Sequence, residues 1–151
     1  MILNKEDCEK PIDVLINSTG VEIISGMVIY DVIQASKAPI RMYCIGRAYS
    51  MAAVLFASGN HGRYMLPHSE LMLHEPLLGN RVSGNSSSIK SISDNLLETK
   101  RKMNQILSKH TGKSEEEIEG ATGFDHYFDA NESLDFGLCD KIISFDDIME
   151  G

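Results

Sequence analysis

The chain has 151 residues, of which 42% are hydrophobic and 24% charged, with a formal net charge of −8. That length and balance suit one globular domain with a sizeable core. An acidic chain with no dense Lys/Arg cluster argues against nucleic acid and anionic membranes as partners, and its longest apolar stretch, Met51 to Ala57, is too short to span a bilayer.

In chain order, "IDVLIN" (12–17) reads as a buried strand. "IISGMVIYDVIQAS" follows Gly20 and places Ile24, Met27, Val28 and Val32 on one face of a helix. Lys37-Ala38-Pro39 breaks that helix, and "IRMYCI" is the next strand. A helix of small and apolar residues opens at Ser50 and ends near Gly59, where Asn60 and Gly62 supply turn chemistry. "GRYMLP" and "ELMLHEPL" read as two further short strands divided by Pro67. The alternation of strands and helices predicts α/β packing.

"GNRVSGNSSS" has no apolar periodicity and reads as a loop or a weakly extended arm. From Ile89 to His110 a long helix is expected, with a stripe of Ile89, Ile92, Leu96, Leu97, Met103, Ile106 and Leu107 and a stop at Gly112. Lys100, Arg101 and Lys102 are expected on its solvated side. Ser114 with Glu117, and Asp129 with Glu132, each have the spacing of a capping box. "TGFDHYFDA" reads as a loop between two short helices, "LCDKII" as the closing strand, and "DDIMEG" as a solvated tail.

The three cysteines, Cys8, Cys44 and Cys139, are odd in number and far apart. No metal-site spacing is present among them, and Cys44 and Cys139 are expected to be small core residues. The five histidines form no H-x-x-x-H or H-E-x-x-H pair, so no metal is expected. "MILNKEDCEK" has no apolar core with a small-residue cleavage site, which makes the cytoplasm the expected location.

Chemistry centres on three positions near element ends. Ser50 lies where a strand turns into a helix. It is either an N-cap, for which serine is favoured, or a nucleophile on a sharp strand-to-helix turn. His74 lies where the run Leu71 to Leu73 leaves the sheet, and Asp125 lies in a loop. A serine needs a base to attack near neutral pH, imidazole has a suitable pKa, and a carboxylate can hold its other nitrogen. Each also has an ordinary structural reading: a cap, a half-buried histidine, a turn aspartate. His61, His68, His110 and His126 keep that ordinary reading.

Several segments resemble the ClpP family, the proteolytic subunits of Clp proteases. "GRAYSMAAVLFASG" is similar to the family's nucleophile segment, and "LMLHEPLLG" to its histidine segment. "KRKMNQILSKHTGKSEEEIE" resembles the end of its long helix with the H-T-G turn. "FDHYFDANESLDFGLCDKII" and "INSTGVEIISGMVIYDVIQ" match further motifs, so the likeness runs in order along almost the whole chain. The resemblance implies an α/β fold of the ClpP/crotonase kind, a spiral of ββα units with a protruding handle of strand plus long helix. It implies a single protease domain over 1–151, its head about 1–76 and 113–151 and its handle about 77–112. The pore-lining segment that opens the family's chains has no counterpart here.

Residue by residue, the resemblance makes Ser50 the nucleophile, His74 the base and Asp125 the residue orienting it. The backbone N–H groups of Val21 and Met51 become the oxyanion hole, and Gly20, Glu22, Leu77 and Leu78 bind peptide as an added strand. Val21 departs from a family glycine, and a β-branched residue fits badly wherever φ must be positive. The implied activity is serine endopeptidase cleavage of unfolded polypeptides, through an acyl-enzyme, inside a chamber of seven-membered rings. No cofactor is implied, ATP being used only by a Clp ATPase unfoldase as partner. Two alternatives stand beside it: a weak or inactive ring or regulatory subunit, and an acyl-CoA enzyme of the crotonase type, against which the peptidase motifs argue.

Overall fold

The computed structural model describes residues 1–76 and 83–150. Its elements are α1 (Ile2–Glu6), β1 (Ile12–Ser18), α2 (Ile23–Ala35), β2 (Ile40–Tyr49), α3 (Met51–Ala57), β3 (Arg63–Met65) and β4 (Glu70–Leu73). They continue with α4 (Ser86–Thr111), α5 (Glu115–Thr122), β5 (His126–Phe128), α6 (Ala130–Phe136), β6 (Lys141–Ile142) and α7 (Phe145–Glu150). Among the described residues no helix is long and apolar enough to cross a membrane.

One sheet carries all six strands, and β2 organises it. The first half of β2 pairs in parallel with β1 (Val14 opposite Met42) and with β3 (Cys44 opposite Met65), whereas its second half pairs with β4 (Ala48 opposite Leu71). β3 and β4 thus occupy successive stretches of one side of β2, and the sheet curls. β6 adds in parallel to β3, and β5 adds antiparallel to β4. Helix α3 fills the hollow of that curl with all seven of its residues buried. Small residues permit this: Ala53 and Ala57 let the helix approach the sheet while Phe56 fills the space between them. A Cβ on Gly26 of α2 would come within 2.4 Å of the Met51 side chain, so only glycine lets α2 seat against the start of α3.

Four expectations are corrected. On α2 the buried positions are Gly26, Tyr30 and Ile33, whereas Ile24, Val28 and Val32 are 73%, 60% and 39% exposed. The helix is apolar nearly all round, so periodicity alone did not select its inner face. β1 is not fully buried but alternates half-buried and exposed residues, because among the described residues β2 is its sole partner in the sheet. The segment expected to be a loop contains β5, while the acidic tail, solvated as expected, forms α7 and buries no residue. The long helix begins at Ser86, where Asn85 accepts from Ser88 N–H, and only its C-terminal half has buried residues, Met103, Asn104 and Leu107. Both expected capping boxes form, on α5 and α6.

Cys44 and Cys139 are buried as expected, and burial pushes the Cys139 thiol up to about 11, so it stays protonated and unreactive near neutral pH. His110 ends the long helix half-buried, its Nε2 hydrogen-bonded with the Tyr30 hydroxyl at 2.9 Å. Burial, with Lys109 and Arg63 nearby, holds its pKa below the ordinary value. The folded chain therefore binds this proton less readily than the unfolded chain. Stability is expected to be full above about pH 6.5 and to fall as pH drops below it. Melting temperature followed from pH 7.5 to 5 should show this decline, and His110→Asn should flatten it.

Candidate active site

Ser50 sits between β2 and α3 with φ 59° and ψ −124°, and is the only non-glycine with positive φ among the described residues. Its side chain makes no cap bond to α3. The serine therefore gains nothing as an N-cap, while its backbone takes a conformation that costs about 1–3 kcal/mol. Buried elements hold it there. Ser50 N–H donates to the Met72 carbonyl of β4 at 2.8 Å, and the Ser50 carbonyl accepts from Ala53 and Val54 in the first turn of α3. A strained serine on a strand-to-helix turn, with its hydroxyl kept out of capping, is the arrangement that presents a nucleophile.

His74 follows β4 directly. It lines a small cavity of about 30 Å³ together with Ser50, Met51, Asn104 and Thr122, and a larger cleft of about 460 Å³ with Ser50, Val21 and Glu22. Its Nδ1 lies 2.6 Å from the backbone oxygen of Glu75. A carbonyl oxygen only accepts, so Nδ1 carries the hydrogen, and in a neutral ring Nε2 is free to accept. Thr122 Oγ1, buried at the end of α5, has no hydrogen-bond partner among the described residues.

Asp125 lies outside both cavities and its side chain is exposed. Its backbone, however, is well placed. The antiparallel β4–β5 ladder pairs Leu71 with Phe128, Met72 with Tyr127 and Leu73 with His126, and His74 and Asp125 are the residues just beyond its last pair. Ser50 and His74 thus meet at shared cavities, while Asp125 lies at the end of the β4–β5 ladder. Among the described residues no hydrogen bond joins the three.

Met51 is the first residue of α3, where backbone N–H groups lack intrahelical acceptors. Val21 lines the cleft beside Ser50, but its φ is not positive. The left-handed backbone falls at Gly20, with φ 132°, so the valine meets none of the strain expected of it. Glu22 lines the same cleft, and Leu77 and Leu78 lie outside the described residues.

Sequence reasoning missed Lys100. It was assigned to a solvated face, yet only 23% of its side chain is exposed, and its Nζ lies 3.0 Å from carboxylate oxygens of both Glu75 and Glu119. These carboxylates raise its pKa. The run Lys-Arg-Lys hid it; the signal was the spacing of Lys100 to Asn104 and Leu107, i, i+4 and i+7 on one face. Among the described residues no cluster of three or more His, Cys, Asp or Glu side chains is arranged to hold a metal ion.

A curled α/β sheet wraps round a buried helix, with a strained serine and a histidine at its mouth. The family model described as Clp protease matches residues 1–146. The chain belongs to the Clp protease family and is a ClpP-type protein with the ClpP fold.

Proposed function

We propose that the chain is a serine endopeptidase subunit that cleaves unfolded polypeptides. The observation that carries this reading is the strained backbone of Ser50, maintained although the side chain caps nothing. In the proposed cycle His74 Nε2 takes the Ser50 hydroxyl proton as Oγ attacks the peptide carbonyl. The Met51 N–H, with that of Val21, receives the developing oxyanion. Collapse of the intermediate passes the proton to the leaving amine and leaves an acyl-enzyme, which water then hydrolyses by the same base. Asp125, like His74 just beyond the last β4–β5 pair, orients the imidazole and stabilises its cation once Nδ1 turns from the Glu75 carbonyl to the carboxylate. No cofactor takes part, and ATP is used only by a partner Clp ATPase unfoldase.

Assembly belongs to the same proposal: one domain with a handle formed by the region 77–112, in seven-membered rings that enclose a chamber. Exposed Leu15, Ile24, Val28, Ile29 and Val32 support it, since β1 and α2 leave apolar side chains uncovered on neighbouring surfaces. Peptide would lie in the cleft beside Gly20 and Glu22, continuing along Leu77 and Leu78. A second reading, a weak or inactive ring subunit, draws on the engagement of His74 Nδ1 by a carbonyl and on the exposure of Asp125.

The deciding measurement is intact mass after treatment with a fluorophosphonate, beside a Ser50→Ala control. The expected result is one adduct that vanishes in the control. Folded, assembled protein that takes no adduct would establish the inactive subunit instead.

A further inference from the structure

The carbonyl that holds His74 is itself held. Glu75 N–H donates to the Thr122 carbonyl at the end of α5 at 2.7 Å. The Glu75 carboxylate lies 3.0 Å from Lys100 Nζ on α4, and Lys100 is tethered from the other side by Glu119 on α5, also at 3.0 Å. Two elements, α4 and α5, are thereby tied to the residue next to the base. Other basic residues of α4 are not used so: the side chains of Lys90 and Arg101 are 76% and 57% exposed and pair within the helix, with Asp94 and Glu98. Lys100 reaches instead across two elements, one turn before Asn104, which lines the cavity of Ser50 and His74.

We infer that Lys100 and Glu75 are positioning residues for His74: their ion pair fixes the backbone next to the base, from which the imidazole turns between the Glu75 carbonyl and Asp125, and sets the charge beside it. The inference rests on the peptidase reading of Ser50 and His74 and adds to it a second support for the base, independent of Asp125. The pair is close to neutral as it stands. Without the lysine, the carboxylate of Glu75 is left uncompensated one residue from the imidazole, and the protonated ring is favoured. Without the carboxylate, the ammonium remains and the protonated ring is disfavoured. Among the described residues the other ionisable groups near His74 are Glu22 in the same cleft, Glu119 beyond Lys100, Asp125 just beyond the last β4–β5 pair, and His126, whose Nδ1 is bonded to the Ala121 carbonyl at 3.0 Å. All remain in both variants, so the two shifts must have opposite sign.

The test follows the His74 imidazole by NMR titration in wild type, Lys100→Met, Glu75→Gln and Lys100→Arg, and the pH profile of the fluorophosphonate labelling rate in the same proteins. Lys100→Met is expected to raise the titration midpoint and the acid limb by about half a unit, and Glu75→Gln to lower both by a similar amount. Lys100→Arg, which keeps the charge, should restore the wild-type midpoint. Added salt should shrink both shifts, because the pair is partly exposed. A purely structural pair would lower melting temperature and leave the midpoints where they were. Equal midpoints in all four folded proteins overturn the inference while leaving the peptidase reading intact. A wild type that titrates as expected but takes no adduct at Ser50 removes the peptidase reading alone.

Discussion

Replacing Arg63 by methionine is expected to destabilise the fold by about 3–5 kcal/mol, a fall in melting temperature of about 6–20 °C. Arg63 opens β3 and is only 8% exposed. Its Nε and Nη2 reach both oxygens of Asp140, at 3.1 and 2.7 Å, and its Nη1 donates to the carbonyls of Ala57, His110 and Gly137 at 3.2, 3.0 and 2.8 Å. Those three oxygens lie at or beside the C-terminal ends of α3, α4 and α6, where orphan acceptors and the negative ends of three helix dipoles gather. One planar cation satisfies them together, which an ammonium cannot do with the same geometry. Methionine fills much of the volume but leaves buried carbonyls without donors and Asp140 without its partner. Arg63→Lys should recover only part of the loss, since it keeps the charge and not the fork. Arg63 also holds the Asp140 carboxyl below its usual pKa. That contribution is present above the ordinary aspartate value and disappears as pH falls below it, so the gap between wild type and Arg63→Met should narrow in acid. Calorimetry at pH 7 and at about pH 2 measures both effects, and equal melting temperatures at pH 7 would show that the three helix ends do not depend on this residue.

The features legible in the sequence were those decided within a few residues. The capping boxes of Ser114 and Asp129, the glycine stop after the long helix and the fully apolar helix α3 all announce themselves locally. What stayed hidden depends on partners distant in the chain. α2 has apolar residues on two faces, and only the approach of Gly26 to Met51 decides which one turns inward. β5 is three residues long and exists because β4 offers it an edge, a pairing that no local pattern announces. The triad residues are named by the ClpP resemblance and not by their spacing. The ladder that brings β5, just after Asp125, alongside the strand leading to His74, and the carbonyl that holds the ring, appear only in three dimensions. Lys100 was concealed by its charged neighbours, since a basic run reads as a solvated face unless its acidic partners are known to lie opposite.

The backbone of Ser50 separates the two readings of that residue more sharply than its hydroxyl does. If the serine were there to cap α3, glycine would cost a few tenths of a kcal/mol and alanine about 1 kcal/mol. The observed φ of 59° with ψ of −124°, and a side chain that makes no cap bond, instead put glycine above wild type. Ser50→Gly is expected to raise stability by about 1 kcal/mol. Release of about 1–3 kcal/mol of backbone strain is partly offset by the greater freedom of glycine in the unfolded chain. Ser50→Ala keeps a Cβ on the same strained backbone and should melt close to wild type. Both variants lose the nucleophile, so peptide cleavage should fall by at least about a thousandfold in each. A glycine variant that melts above both others, with no adduct and no cleavage, would show a fold giving up stability to hold one hydroxyl in place. A glycine variant no more stable than wild type would return Ser50 to the capping reading and remove the main physical reason for calling it a nucleophile.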